Sequence, residues 1–226
     1  MNRLALFDCD GTLVDSGATI ASALAESFHR HGRCEPGAER SRSVVGLSLP
    51  QAMAVLAPEA CTQEHEALAD TYRQVFIAMR AAGQVEEPLY DGILPLLDAL
   101  EADGWLLGVA TGKSDRGLRH CLTAHGLFDR FVTLQTADRH PSKPAPEMAL
   151  AAMAEADAAA ANTLVIGDTG FDMAMARSAG AIAVGVAWGY HAEAELWAAG
   201  AQAIAEVPDD ILGIIDQLRQ PRQLSA

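Results

Sequence analysis

Short apolar runs alternate with longer amphipathic stretches along most of this 226-residue chain. Each run has the length of a buried strand, and the stretches between the later runs have the spacing of amphipathic helices. Such alternation predicts a parallel α/β sheet covered by helices, because consecutive parallel strands need a crossover connection. The apolar runs are Leu4–Phe7, Trp105–Ala110, Phe131–Leu134, Thr163–Ile166 and Ala181–Val186.

Three segments do not follow this alternation. Residues 18–82 contain amphipathic helical patterns, such as Ile20–His31 and Gln63–Ala81, without a convincing strand, and this predicts a helical insertion after the first strand. The alanine-rich residues 156–161 are expected to form a helix end or a loop. Residues 217–226 are expected to form a fraying C-terminal tail.

The predicted insertion defines two domains. Residues 1–15 and 85–226 are assigned to an α/β core, and residues 16–84 to an all-helical cap. Glycine, serine and proline residues at both junctions, Asp15–Gly17 and Gly83–Pro88, are typical of hinges. We therefore expect the cap to open and close over the core.

The acidic composition excludes several classes of partner. A formal net charge of −14 argues against binding to nucleic acid or to an anionic membrane surface. No apolar run is long enough to span a bilayer, and the N-terminus does not resemble a secretory signal. The four cysteines have neither metal-site nor disulfide spacing, which is typical of reduced thiols. We expect a cytoplasmic monomer or homodimer.

Two carboxylates, Asp8 and Asp10, directly follow the first apolar run. Side chains two positions apart in an extended chain point the same way, so both are expected to face one site. Like charges that close favour either a bound divalent cation or protonation of one partner. A calcium-binding EF-hand loop starts similarly, but Thr12, Leu13 and Thr19 do not match its required residues.

Another pair of carboxylates, Asp168 and Asp172, follows the apolar run at residues 163–166. A helix that starts near Asp168 would bring both to one side of its first turn. Helix capping is the alternative interpretation of either residue. Because the carboxyl ends of parallel strands meet at one edge of a sheet, all four aspartates are expected to converge.

Thr111 and Gly112 end the second apolar run and offer a hydroxyl and a backbone N–H to an anion at a helix start. The segment resembles a P-loop, but Leu107 stands where that motif needs glycine. Lys113 is interpreted as a solvated surface lysine. The chain has only one other lysine, Lys143, which is expected to fix a phosphate or neutralise a carboxylate.

Together these motifs resemble the haloacid dehalogenase superfamily, in the branch of phosphoglycolate phosphatase-like enzymes that carry a helical cap. The resemblance covers nearly the whole chain and implies a Rossmann-like core, a bound Mg²⁺ and hydrolysis of a small phosphorylated metabolite, a phosphoglycolate-like phosphate monoester. The matching segments are Asp8-x-Asp10-Gly-Thr-Leu-Val-Asp15-Ser, Thr111-Gly112, Lys143-Pro-x-Pro and Gly167-Asp168-x-x-x-Asp172.

The same resemblance assigns a role to each motif residue. Asp8 is expected to be the nucleophile that forms an aspartyl-phosphate, and Asp10 the general acid and base, so the two carboxyls need different protonation states. Mg²⁺ is expected to bind Asp8, the Asp10 backbone carbonyl and Asp168, with Asp172 either binding it directly or supporting a ligand. The expected substrate-binding residues are Thr111, Gly112, Lys143 and, in the cap, Ser48.

Two other functions stay open at this point. A β-phosphoglucomutase-type mutase would typically have an arginine after the Gly46–Ser48 element to bind a second phosphate, and none is present there. A noncatalytic metal-binding module of the same fold is disfavoured because every motif residue is present. Two relatives within the superfamily are excluded: haloacid dehalogenases lack the equivalent of Asp10, and phosphonoacetaldehyde hydrolases need a cap lysine.

Overall fold

The computed structural model describes residues 2–219, and its six parallel strands form one sheet in the order β3-β2-β1-β4-β5-β6. This arrangement confirms the predicted fold class. The chain winds outward from β1 on one side and then crosses to β4 on the other, so the topological switch point lies between β1 and β4. The strands are β1 (Asn2–Phe7), β2 (Trp105–Thr111), β3 (Phe131–Thr136), β4 (Ala158–Gly167), β5 (Ile182–Val186) and β6 (Ala203–Ala205).

The helices fall into two groups. Four lie consecutively between β1 and β2 and form the helical insertion: α1 (Gly17–Arg30), α2 (Ala38–Arg42), α3 (Leu49–Leu56) and α4 (Thr62–Ala81). A fifth helix, α5 (Ile93–Ala102), lies between the insertion and β2. The others connect or follow the later strands: α6 (Asp115–Ala124), α7 (Glu147–Glu155), α8 (Gly170–Ser178), α9 (Glu193–Ala198) and α10 (Asp210–Arg219). A 3₁₀ turn at Phe128–Arg130 precedes β3.

The sheet separates two apolar layers, and the insertion has a third of its own. Alternate residues of β1 point to opposite faces, with Leu4 and Leu6 in one cluster and Ala5 and Phe7 in the other. Inside the insertion, α1, α3 and α4 pack around a separate apolar cluster that includes Met53. The insertion therefore has its own core, while its exact limits at residues 16 and 84 stay a prediction.

The two connections to the insertion run side by side. The Asp15 N–H donates to the Pro88 carbonyl at 2.8 Å, and the Tyr90 N–H donates to the Leu13 carbonyl at 3.1 Å. The insertion is thus joined to the core by a short antiparallel pair of segments. Hinge motion at these segments remains a prediction.

Parts of the predicted secondary structure were wrong. β4 begins at Ala158, so residues 158–161 are strand rather than loop. These four alanines are half-buried or exposed, at the amino end of the strand, and a run of one residue type shows no alternation of apolar and polar side chains. β6 was missed because it has only three residues. Residues 217–219 belong to α10 rather than to a tail, and the rest of that tail lies outside the described residues.

No helix within residues 2–219 combines the length and the apolar character that a membrane crossing requires.

Candidate active site

Strand register brings the predicted site residues to one edge of the sheet. Phe7 at the end of β1 lies opposite Val109 of β2 and Ile166 of β4, so the three central strands end level with one another. The Asp8 N–H continues the ladder by donating to the Ile166 carbonyl at 2.8 Å. Side chains that follow these strand ends therefore converge, as the sequence predicts.

Three carboxylates and one ammonium group form the centre of this edge, and we call them the carboxylate cluster: Asp8, Asp168, Asp172 and Lys143. Each carboxylate offers an oxygen within 4.8 Å of the others, and all are buried. Lys143 Nζ lies 3.0 Å from Asp8 Oδ1 and 2.6 Å from Asp172 Oδ1. One cation thus faces three acids.

Neighbouring donors fix two of these carboxylates. The Thr12 hydroxyl donates to Asp168 Oδ1 and the Tyr190 N–H donates to Asp168 Oδ2, both at 2.9 Å. Thr169 caps α8 and donates its N–H and hydroxyl to Asp172 Oδ2, at 3.1 Å and 2.6 Å. Asp168 precedes this cap, so it belongs to the strand–helix connection, and the predicted helix start near Asp168 falls two residues later.

The turn that carries Asp8 and Asp10 requires a glycine. Gly11 has φ +85°, a left-handed conformation that glycine adopts without steric cost. A Cβ at this position would lie 2.2 Å from Asp168 Oδ2, well inside van der Waals contact. The absence of a side chain at Gly11 therefore allows the segment after β1 to approach the segment after β4.

Burial and mutual repulsion disfavour full ionisation of the cluster. Burial raises the pKa of Asp8 to about 7, helped by the charges of Asp172 and Asp10 and opposed by Lys143. Burial also raises the pKa of Asp168 well above its usual range, and Asp8 and Asp172 add to that shift. Burial acts to lower the pKa of Lys143, but the two neighbouring carboxylates outweigh it and raise that pKa. The single ammonium group of Lys143 therefore does not compensate for three ionised carboxylates.

One oxygen of the cluster has no partner. Asp8 Oδ1 accepts from the Cys9 N–H at 2.6 Å and contacts Lys143, whereas Asp8 Oδ2 is buried without a hydrogen bond to any described residue. A buried, unpaired carboxylate oxygen is costly unless a ligand binds it. Oxygen donors in an acidic pocket are the ligands that Mg²⁺ prefers, so these residues fit a hard divalent cation.

A second charge network lies beside the first and contains the remaining lysine. Lys113 Nζ lies 2.8 Å from Asp10 Oδ1 and 2.7 Å from Glu87 Oε1, and Arg80 lies 2.9 Å from Glu87 Oε2. Asp10 Oδ1 also accepts from the Ser16 hydroxyl. We call Asp10, Lys113, Glu87, Arg80 and Ser16 the hinge network, because Ser16 and Glu87 lie on the two connections to the insertion.

The interpretation of Lys113 as a surface lysine was wrong. Its side chain is only 9% exposed, since two carboxylates compensate for its burial. Burial acts to lower its pKa, but Asp10 and Glu87 contribute to an overall rise well above the usual value. The available signal in the sequence was the rarity of lysine. The chain has two lysines against 30 acidic residues, so each lysine is a candidate partner for a buried carboxylate.

The predicted phosphate-binding residues lie between the core and the insertion. The Thr111 hydroxyl is buried and accepts from the Lys113 N–H at 3.2 Å. A Cβ on Gly112 would lie 2.5 Å from the Leu47 carbonyl, so the loop before α3 rests directly on this turn. The Ser48 N–H donates to Ser142 Oγ at 2.8 Å. The insertion thus reaches the site through residues 46–48, and substrate contacts by these residues stay predictions.

The chain is similar to known phosphatases along nearly its whole length. A family model described as haloacid dehalogenase-like hydrolase matches residues 5–186. A probable phosphatase, IndB, of Dickeya dadantii is 34% identical over 215 residues, which cover 94% of this chain and 93% of that protein. A phosphoglycolate phosphatase of Xylella fastidiosa is 30% identical over 83% of this chain and 81% of its own length. The crystal structure of a predicted phosphatase from Clostridium acetobutylicum superposes with a TM-score of 0.86 at 26% identity, over 96% of this chain and 99% of that one.

Proposed function

Because this chain belongs to the haloacid dehalogenase-like hydrolase family, we propose that it is a magnesium-dependent phosphatase that hydrolyses a small phosphate monoester through a phosphorylated Asp8. The supporting observation is the environment of Asp8. Lys143 holds one of its oxygens, while the other is buried and unpaired among further carboxylates. Lys143 thus fixes the orientation of the Asp8 carboxylate relative to an incoming phosphate.

The metal is proposed to bind Asp8, Asp168 and the Asp10 backbone carbonyl, with Asp172 either binding it directly or supporting a ligand. When bound, Mg²⁺ supplies the positive charge that lets an anionic nucleophile approach an anionic phosphate. Its charge also compensates for the excess of carboxylates over ammonium groups in the cluster. The identity of the ion is part of the proposal.

The protein's own groups perform the bond changes in two steps. One oxygen of the Asp8 carboxylate attacks the phosphorus and the bond from phosphorus to the substrate oxygen breaks, while Thr111, Gly112 and Lys143 hold the transferring oxygens. Asp10 gives a proton to the departing oxygen of the substrate. In the second step Asp10 takes a proton from the water that attacks the aspartyl-phosphate, and Asp8 is regenerated.

The hinge network supports this role for Asp10. Lys113 and Ser16 both contact Asp10 Oδ1 and so fix the orientation of the carboxyl group. Because Glu87 and Ser16 lie on the connections to the insertion, we propose that cap movement alters the position of Asp10 relative to Asp8.

A magnesium-dependent assay with p-nitrophenyl phosphate tests the proposal. We expect phosphate release that EDTA abolishes and that Asp8→Asn reduces by on the order of 10³-fold or more, because the nucleophile is lost. Unchanged turnover in Asp8→Asn would overturn the proposal. Product analysis with sugar phosphates separates hydrolysis from a mutase reaction, in which little free phosphate is released.

A further inference from the structure

A cavity of about 480 Å³ lies between the insertion and the core, next to the proposed general acid. Asp10, Gly112 and Lys113 line its core end, and residues of the insertion and of α6 line the other walls. The departing oxygen of the substrate has to lie near Asp10 to receive its proton. The remainder of the leaving group therefore extends into this cavity.

The walls of the cavity are largely apolar. The side chains from the insertion include aliphatic groups and an aromatic ring: Leu24, Val44, Leu47, Leu49, Ile77 and Phe76. The volume falls in the range of roughly 300–1,000 Å³ that is typical of pockets for drug-sized ligands. Such a cavity binds a ligand more tightly the more apolar surface of that ligand it removes from water.

A leaving group with its own carboxylate would need a free cation in the cavity, since an unpaired buried charge is costly. The cations that line its inner part are already paired. Lys113 contacts Asp10 and Glu87, and Arg80 also contacts Glu87. Arg73 pairs with a carboxylate one turn away on its own helix, at 2.5 Å.

Two basic side chains that line the cavity have no ion pair within the described part of the chain. They are Arg116 and His120, one turn apart on α6, and both are exposed. This position at the outer rim suits a polar end of a long leaving group. It does not suit the carboxylate of a leaving group that has only two carbons.

We infer that the substrate is a phosphate monoester with a ring-sized, largely apolar leaving group rather than a short carboxylate such as glycolate. The inference rests on the proposed phosphatase function and specifies its substrate class. The apolar walls of the insertion provide the selectivity, and the phosphate is bound at the carboxyl edge of the sheet. Apolar contact area, rather than an additional ion pair, distinguishes the preferred substrate.

Three alkyl phosphates of similar intrinsic reactivity test the inference: 2-phenylethyl phosphate, ethyl phosphate and phosphoglycolate. We expect kcat/KM for 2-phenylethyl phosphate to exceed the other two values by at least about tenfold, which is the scale of discrimination by an apolar pocket. We also expect 2-phenylethanol to inhibit competitively at concentrations at which glycolate does not. The inhibition experiment needs no variant.

A wall variant with a matched control locates the selectivity. Phe76→Ala is expected to lower the ratio of kcat/KM for 2-phenylethyl phosphate to that for ethyl phosphate by about tenfold. Val55→Ala removes an exposed side chain of the insertion that does not line the cavity. We expect this control to leave the ratio within about twofold.

The outcomes distinguish the two levels of the proposal. If phosphoglycolate is preferred, or if all three substrates react equally, the inference about the leaving group is overturned while the phosphatase function stands. If none of the three yields more phosphate than Asp8→Asn, the phosphatase function itself fails. If Phe76→Ala leaves the ratio unchanged, the cavity does not bind the leaving group.

Discussion

The two neighbouring charge networks contain the same kinds of side chain but differ in balance. The hinge network sets Asp10 and Glu87 against Lys113 and Arg80, so its formal charges cancel. The carboxylate cluster sets three aspartates against a single lysine and leaves one buried oxygen unpaired. A balanced network needs no further charge, whereas an unbalanced one is relieved either by protonation of an acid or by a cation from outside.

This difference distinguishes the hinge network, which positions Asp10, from the carboxylate cluster, which is proposed to bind the metal. Both lysines have a raised pKa because their carboxylate partners outweigh the effect of burial. In the hinge network, the pKa of Glu87 is lowered, since Lys113 and Arg80 overcome the effect of its burial. In the carboxylate cluster, the pKa values of Asp8 and Asp168 are raised. The raised pKa values of Asp8 and Asp168 agree with the proposal that the carboxylate cluster binds the metal.

The largest expected effect comes from a variant that removes chemistry without removing the metal site. Asp10→Asn should lower turnover by on the order of 10³-fold, because a general acid and base contributes about that factor. Its backbone carbonyl is retained, so the rise in melting temperature on addition of Mg²⁺ should persist. Phosphate release and thermal unfolding measure the two quantities.

Asp168→Asn is the matched variant in the other network. It should reduce both turnover and the magnesium-dependent rise in melting temperature, since it removes a ligand. If Asp10→Asn abolishes the response to Mg²⁺ and Asp168→Asn does not, the assignment of the two networks is reversed.

The two lysines provide a direct test of the difference in balance. Lys143→Met and Lys113→Met should each lower the free energy of unfolding by about 3 kcal/mol in EDTA. The first leaves Asp8 and Asp172 without a cation, and the second leaves Asp10 without one. Mg²⁺ should restore part of that loss in Lys143→Met and none of it in Lys113→Met. Denaturant unfolding with and without Mg²⁺ gives both values.

Equal recovery of the two lysine variants on addition of Mg²⁺ would mean that the ion does not discriminate between the networks. The comparison is controlled internally, because both substitutions replace a buried lysine by the same apolar side chain.

The pH dependence of stability should also differ with and without metal. Asp8 has a pKa of about 7 in the folded chain and an ordinary value of 3.8, so the folded state binds its proton more tightly. The contribution of this group to stability is therefore lost as the pH rises from about 4 through 7. Mg²⁺ binds the deprotonated carboxylates, so the stabilisation by metal should be larger near pH 8 than near pH 5.

At a magnesium concentration about 100 times the dissociation constant, the expected stabilisation near pH 8 is about 2.7 kcal/mol, or roughly 5–10 °C in melting temperature. Thermal unfolding at the two pH values, each with Mg²⁺ and with EDTA, measures the difference. A response of the same size at both pH values would contradict the predicted proton linkage.

The smallest expected effect is that of Ser16→Ala in the hinge network. Loss of one hydrogen bond to the Asp10 carboxylate should cost about 1.5 kcal/mol of stability and lower turnover by no more than about tenfold, because Lys113 still holds Asp10. Ser43→Ala, at an exposed serine of the insertion, is the control and should change neither quantity. A loss of turnover as large as that of Asp10→Asn would show that Ser16, rather than Lys113, positions the acid.

The sequence by itself determined the sheet, the insertion and the convergence of Asp8, Asp168 and Asp172, whereas the Asp10 side chain was expected in the same cluster and lies in the neighbouring hinge network. These features depend on local patterns: apolar runs of strand length, a long helical interruption, and acids placed at strand ends that parallel topology brings to one edge. Asp8 and Asp168 are 160 positions apart in the chain, yet strand order alone predicted their proximity. β6 and the start of β4 lacked such a pattern and were not predicted.

Only the tertiary structure decided how the charges are paired. Lys113 and Lys143 each lie between a strand and the following helix, and nothing local indicates that Lys113 pairs with Asp10 while Lys143 pairs with Asp8 and Asp172. The partners come from segments that meet only after the sheet and the insertion have formed. Charge balance is a property of that three-dimensional arrangement, because the energy of a buried charge depends on what lies within a few ångströms of it.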